Sequence, residues 1–65
     1  MPNLAILADI AEIAFEVGQY DQAIRFCEQG LDHILPLHAQ SIRFYCTMIK
    51  SFFMKDKIRE AENYF

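Results

Sequence analysis

The side chains able to do chemistry in this chain are few, and their spacing limits what each could do. His33 and His38 flank Pro36, and Cys27 and Cys46 stand 19 residues apart. Neither pair has the spacing of a zinc knuckle or of the His pair on a metalloprotease helix. They read as solvent-facing histidines and core cysteines. Glu12 and Glu16 lie four apart on one helical face, a spacing that suits paired-carboxylate or two-metal work. Helix bundles that bind two metals add a Glu-x-x-His companion, which the sequence lacks, so these acids read as a solvated stripe. Ser41 and Ser51 have no base in a recognisable arrangement, and two glycines twelve apart make no phosphate-cradling loop. The pairs Phe44-Tyr45 and Phe52-Phe53 could stack on bases, but base-stacking proteins add a basic groove. This chain carries a net charge of −3 with a pI near 5.1, the wrong sign for a phosphate backbone. No catalytic residue, cofactor, metal or nucleic-acid partner is expected.

The residues that position everything else form the stretch Val17-Gly18-Gln19-Tyr20-Asp21-Gln22-Ala23-Ile24. Apolar residues recur at helical spacing before it, from Leu4 to Val17, and after it, from Ile24 to Leu35. Gly18 suits the left-handed residue after a helix end, Asp21 suits the N-cap of the next helix, and Tyr20 reads as a plug between the two. The stretch predicts a hairpin of antiparallel helices. Asn3 is the predicted cap of the first helix. Of that helix, Leu7, Ile10, Ala11 and Ala14 make one apolar face and Ile6, Ile13 and Val17 another, leaving a narrow polar stripe of Asp9, Glu12 and Glu16. A helix apolar over most of its circumference is covered on more than one side, and one partner helix cannot do that. The second helix, about 21–35, is expected to bury Ala23, Ile24, Cys27, Leu31 and Ile34. Gly30 within it weakens the helix by about 1 kcal/mol and suggests a close crossing. Leu35-Pro36-Leu37 is the predicted connection. A third helix, about 38–54, is expected to bury Ile42, Tyr45, Met48, Ile49 and Phe52 and to expose Arg43, Thr47 and Lys50. Lys55-Asp56-Lys57 is the expected turn into a fourth, begun at Ile58.

Sixty-five residues make one small domain at most. With 54% hydrophobic residues and a mean hydropathy of +0.08, the chain is rich in apolar surface for that size. Two cysteines are too few for the disulfide framework of a small secreted fold, which implies a reduced, intracellular, cytoplasmic setting. Met1-Pro2-Asn3 lacks the basic start of a signal peptide. The first apolar stretch, about 14 residues interrupted by acids, is shorter than the ~20 a membrane span needs.

The order Gly18, Tyr20, Ala23-Ile24 resembles the turn of a tetratricopeptide repeat, whose pattern runs small residues on the first helix, G-x-Y-x-x-A at the turn and Pro after the second helix. Here these are Leu7, Ile10, Ala11 and Ala14, then Gly18, Tyr20 and Ala23, then Gly30, Leu31 and Pro36. The chain departs from the pattern with Leu7 for the usual Trp, Cys27 for the late aromatic, Gly30 as the late small residue and Pro36 one residue late. A shift of 38 residues lays Leu7 on Tyr45, Ile10 on Met48, Ala11 on Ile49, Ala14 on Phe52, Phe15 on Phe53, Ala23 on Ala61 and Cys27 on Phe65, with Gly18 meeting Asp56. The reading is an all-α fold of antiparallel helix-turn-helix pairs stacked as a short solenoid, with repeat one about 4–36 and an incomplete repeat two about 38–65.

The resemblance implies a concave face lined by the first helix of each repeat. Carried over by position, it comprises Ala5, Ala8, Glu12, Phe15 and Glu16, then Arg43, Cys46, Lys50, Phe53 and Met54. Glu12, Phe15, Glu16, Arg43, Lys50, Phe53 and Met54 are the candidate protein-binding residues. The plainer reading packs Phe15 and Phe53 between repeats and pairs Glu12 or Glu16 with Lys50. Repeats that clamp the acidic tails of cytosolic chaperones need Lys and Asn where this chain has Ala8 and Glu12, so that clamp is not expected. The implied function is a non-catalytic scaffold for protein–protein contacts: a peptide-binding adaptor, or a segment of a larger assembly covered by adjacent repeats. The alternative is a small self-associating helical bundle.

Overall fold

The structure, a computed structural model, describes residues 3–34 and 38–63. The Leu35-Pro36-Leu37 connection and Phe65, the partner of Cys27 in the 38-residue shift, lie outside the described residues. Among the described residues there are three helices, α1 Leu4–Glu16, α2 Tyr20–Asp32 and α3 Ala39–Asn63, and the architecture they form is all-α.

The first hairpin is written in local chemistry. Asn3 caps α1, its Oδ1 accepting from the N–H groups of Ala5 at 3.1 Å and Ile6 at 3.2 Å. At the other end the Gln19 N–H donates to the Ala14 carbonyl at 2.8 Å and the Gly18 N–H to that of Phe15 at 3.1 Å. These are the paired bonds of a Schellman motif, and Gly18 takes the left-handed conformation it requires, with φ +84°. Asp21 does not cap α2. The N-cap is Gln19, which makes no side-chain capping bond, and Asp21 sits within the first turn with its carboxylate on Lys55 of α3. An acid there still faces the positive end of the helix dipole.

Directions follow from cross-helix pairs. Arg43 reaches Asp9 and Glu12, and Lys50 covers Phe15, so α1 and α3 run parallel. Lys55 meets Asp21 while Phe44 meets Gly30, so α2 runs against both. The core is Ala8, Ala11, Cys27 and Phe44, with Leu4, Leu7, Phe26, Leu31, Ile34 and Met48 packed around it. The close crossing expected at Gly30 is the Phe44 contact. A Cβ on Gly30 would stand 2.5 and 2.6 Å from the ring's two Cε atoms.

That contact overturns the expected orientation of α3. Its inner face is Ser41, Phe44, Thr47 and Ser51, all buried, with Met48 half-buried. Ile42, Tyr45, Ile49 and Phe52, expected inside, are 48–67% exposed. Phe44 fills the notch over Gly30, and the small hydroxyl residues beside it let the helices approach. Their polar atoms cost little there: Ser51 Oγ donates to the Thr47 carbonyl at 2.7 Å and Ser41 Oγ to the His38 carbonyl at 2.6 Å.

The expected turn at Lys55-Asp56-Lys57 is also absent, because α3 runs unbroken for 25 residues to Asn63. Lysine is a good helix former and Asp costs only a few tenths of a kcal/mol, about 0.5. No Gly or Pro interrupts residues 39–63. The helix gives the molecule its longest dimension, 45 Å against 20 and 14 Å.

Candidate functional site

The seam between parallel α1 and α3 gathers most of the candidate binding residues. Asn3 and the Gly18 motif fix the ends of α1, and the Phe44 wedge fixes the rotation of α3, so that Arg43, Cys46, Lys50 and Phe53 project on the α1 side at three- and four-residue spacing. Glu12 takes Arg43 in a two-pronged grip, Nε to Oε1 at 3.1 Å and Nη2 to Oε2 at 3.0 Å. Nη2 also donates to Asp9 Oδ1 at 2.6 Å, and Nη1 to Gln40 Oε1 at 3.2 Å. Hydrogen bonds to Glu12 and then to Asp9 push the Arg43 guanidinium above its already high range, keeping it charged. The pairing of Glu12 or Glu16 with Lys50 does not occur. Lys50 Nζ instead lies 5.0 Å from the centroid of the Phe15 ring, and Phe15 packs against Tyr20 at 5.5 Å. Glu16 is exposed beside them.

Farther along α3, Phe53 is exposed with Lys57 Nζ 5.0 Å from its ring centroid, and Met54 is half-buried. Cys46 is an exposed free thiol on the same face, and Ala5 is exposed. Ala8, carried onto this face by position, belongs to the core. The seam thus offers an acidic cluster around one arginine at one end and aromatic rings under ammonium groups at the other. Asp9, Gln40, Tyr20 and Lys57 were missed as members. The sequence pattern held no signal for Asp9: the 38-residue shift lays it on Thr47, whereas the structure sets it level with Arg43, 34 residues on.

The other cysteine is chemically quiet. Burial, then the charges of Glu12 and Glu28, push the Cys27 thiol from its ordinary 9.0 up to about 11. A cleft of about 320 Å³ opens between the α1–α2 turn and the end of α3, lined by Gly18, Tyr20 and Asp21 on one side and Lys55, Ile58 and Arg59 on the other. The Asp21–Lys55 pair crosses it, and that hydrogen bond holds the Asp21 carboxyl below its usual range.

Two apolar stripes remain open. One is Ile6, Ile10, Ile13 and Val17 along α1 and its C-cap, and Ile10 belongs here rather than with the inward face expected of it. The second is Ile42, Tyr45, Ile49 and Phe52 on α3. No helix among the described residues is long and apolar enough to cross a membrane. Comparison of the chain with protein-family models, curated protein sequences and solved structures gives no match.

Proposed function

We propose that this chain is a non-catalytic scaffold for protein–protein contacts, a segment resembling tetratricopeptide repeats that works within a larger assembly or adaptor in the reducing cytoplasm. The observation that carries the reading is the outer stripe of α1. Four β-branched side chains, Ile6, Ile10, Ile13 and Val17, are 41–66% exposed along one face of a thirteen-residue helix and its C-cap. An exposed apolar row of that length is the mark of a face meant to be covered. The parallel course of α1 and α3 supports the repeat, with Asp9 level with Arg43 and Phe15 level with Lys50. The 38-residue shift is not the register of the helices: the level pairs are 34 and 35 residues apart, and the shift lays buried Ala11 and Ala14 on exposed Ile49 and Phe52.

In this reading the α1–α3 seam is the ligand face. Phe15, Phe53 and Met54 supply apolar anchors, and Lys50 and Lys57 favour a ligand carrying carboxylates. The test is panning of a displayed library of acidic-aromatic peptides on the immobilised chain. Selected peptides are expected to lose at least about tenfold in affinity, about 1.4 kcal/mol, on Lys50→Glu or Phe53→Ala. They should keep it on Ile6→Asp and Ile13→Asp. Peptides indifferent to Lys50 and Phe53, or no peptides at all, would remove the seam as a binding site. Self-association is a second reading, favoured by the open stripe of α3.

A further inference from the structure

The open residues of α3 are spaced by the alternation of a coiled-coil seam. Ile42, Tyr45, Ile49 and Phe52 are separated by three, four and three residues, with His38 four residues before and Asp56 four after. Isoleucine holds both a positions and an aromatic ring both d positions. The row is also its own complement. Laid antiparallel on a second copy about a two-fold axis level with Thr47, Ile42 meets Phe52, Tyr45 meets Ile49 and His38 meets Asp56. Each layer sets a β-branched side chain against a ring, and each end sets an imidazole against a carboxylate. His38 Nδ1 accepts from the Gln40 N–H at 3.0 Å, which leaves Nε2 as the donor toward Asp56 of the second copy.

From this we propose that the chain forms an antiparallel homodimer through the outer face of α3. Area supports it. The four side chains are 48–67% exposed. Each leaves roughly 130 Å² to cover, so the pair of copies would bury about 1,000 Å², the lower bound of a specific interface. Area does not by itself fix affinity; contacts at the low end of the size range include weak and transient ones, so a dissociation constant on the order of micromolar is the value the test is built around.

Charge selects this face over the stripe on α1. Ile6, Ile10, Ile13 and Val17 have the same alternation, but antiparallel pairing there sets Asp9 beside Glu16 of the second copy, like against like. The exposed flank of α3 sets Cys46 beside Cys46 and Ala39 beside Phe53, with no like charges opposed. The dimer therefore leaves α1 open and meets the α1–α3 seam only at its edge, through Cys46 and Phe53; its centre is Ile42, Tyr45, Ile49 and Phe52, so variants at Tyr45 and Ile49 test it without touching Lys50 or Phe53.

The test is sedimentation equilibrium of the full chain under reducing conditions, so that Cys46 cannot link copies covalently, from about 2 to 200 µM, a range that spans the expected constant. The expected result is a monomer–dimer equilibrium. Tyr45→Lys and Ile49→Glu should each raise the dissociation constant by about tenfold or more. Both residues are exposed in the single copy, so the helical circular dichroism should hold. Mixing these two variants in equal amounts should restore the dimer. The antiparallel register sets the introduced lysine of one variant against the introduced glutamate of the other, and leaves the second layer as Ile49 against Tyr45. Ile13→Glu should dimerise like the parent chain. A parent chain monomeric at the highest concentration would overturn the proposal. So would a mixture that stays monomeric, or a dimer that survives Ile49→Glu and is lost with Ile13→Glu.

Discussion

Gly30→Ala sets two effects of opposite sign against each other, and the structure decides between them. In the middle of a helix, alanine is favoured over glycine by about 0.8–1 kcal/mol, so a solvent-facing site would be stabilised. At position 30 the added methyl would lie 2.5 and 2.6 Å from the Cε atoms of Phe44. The ring has nowhere to retreat, since Phe44 is completely buried among Ala8, Ala11 and Cys27. Forcing a methyl into a closed core costs about 1–3 kcal/mol or more. Overpacking should win, for a net loss of about 1–2 kcal/mol, or roughly 5–15 °C in Tm for a domain of this size. A fold of 65 residues has only a few kcal/mol, about 3–5, to lose.

The assay is urea unfolding followed by far-ultraviolet circular dichroism, on an Ile49→Asp background so that association does not enter. Phe44→Leu, which withdraws the ring from the notch, should make the same glycine substitution neutral or mildly stabilising. A double-mutant cycle should therefore return a coupling of about 1–3 kcal/mol. Stabilisation by Gly30→Ala alone would refute the packing of α2 on α3 through this notch, and with it the rotation of α3 that opens its apolar stripe.

The same logic of local constraint gives two further expectations. Gly18 has open space around its Cα but a φ of +84°, so Gly18→Ala should cost about 1–2 kcal/mol through backbone strain alone, and Gly18→Asn less, in the same unfolding assay. For Cys27, the folded thiol titrates near 11 against an ordinary 9.0. Stability from that site is complete below pH 9 and is lost as pH rises from about 9 to 11, where the unfolded chain ionises first. Cys27→Ala should flatten that alkaline decline in Tm. At neutral pH a thiol reagent should modify exposed Cys46 at once and Cys27 only at the rate of opening, a ratio that vanishes if Cys27 is not in the core.

How much of this was legible beforehand depended on whether short-range chemistry or three-dimensional fit did the deciding. The cap at Asn3, the left-handed Gly18 and the hairpin between α1 and α2 rest on bonds within a few residues, and the sequence states them outright. Asp21 was misread because its partner, Lys55, is 34 residues away and competes with the local cap. The seam was half-legible. Helical spacing groups Arg43, Lys50 and Phe53 on one face, but it cannot tell that Glu12 will choose Arg43 over Lys50. Arg43 stands closer to the start of α3, level with Asp9 as well, and a guanidinium grips two carboxylates where an ammonium cannot.

The face of α3 was read inside out for a reason that bears on the open stripes. Hydropathy ranks Ile42, Tyr45, Ile49 and Phe52 above Ser41, Thr47 and Ser51, and so assigns the former to the core. Three helices, however, cannot enclose every apolar side chain of a chain that is 54% hydrophobic. The inner face goes to the set that fits closest. Phe44 fits because Gly30 leaves a notch for it, and Ser41, Thr47 and Ser51 fit because they are small, the two serine hydroxyls bonding carbonyls three and four residues back and asking nothing of the core. What is then turned outward is not a random remainder but the most hydrophobic and most regularly spaced row on the helix. A row with that spacing, left over by a fit that excludes it from the core, is what an intermolecular contact requires, and the Gly30→Ala experiment therefore bears on both. If α3 can be turned by filling the notch, the same substitution that destabilises the monomer should also weaken pairing at Ile49.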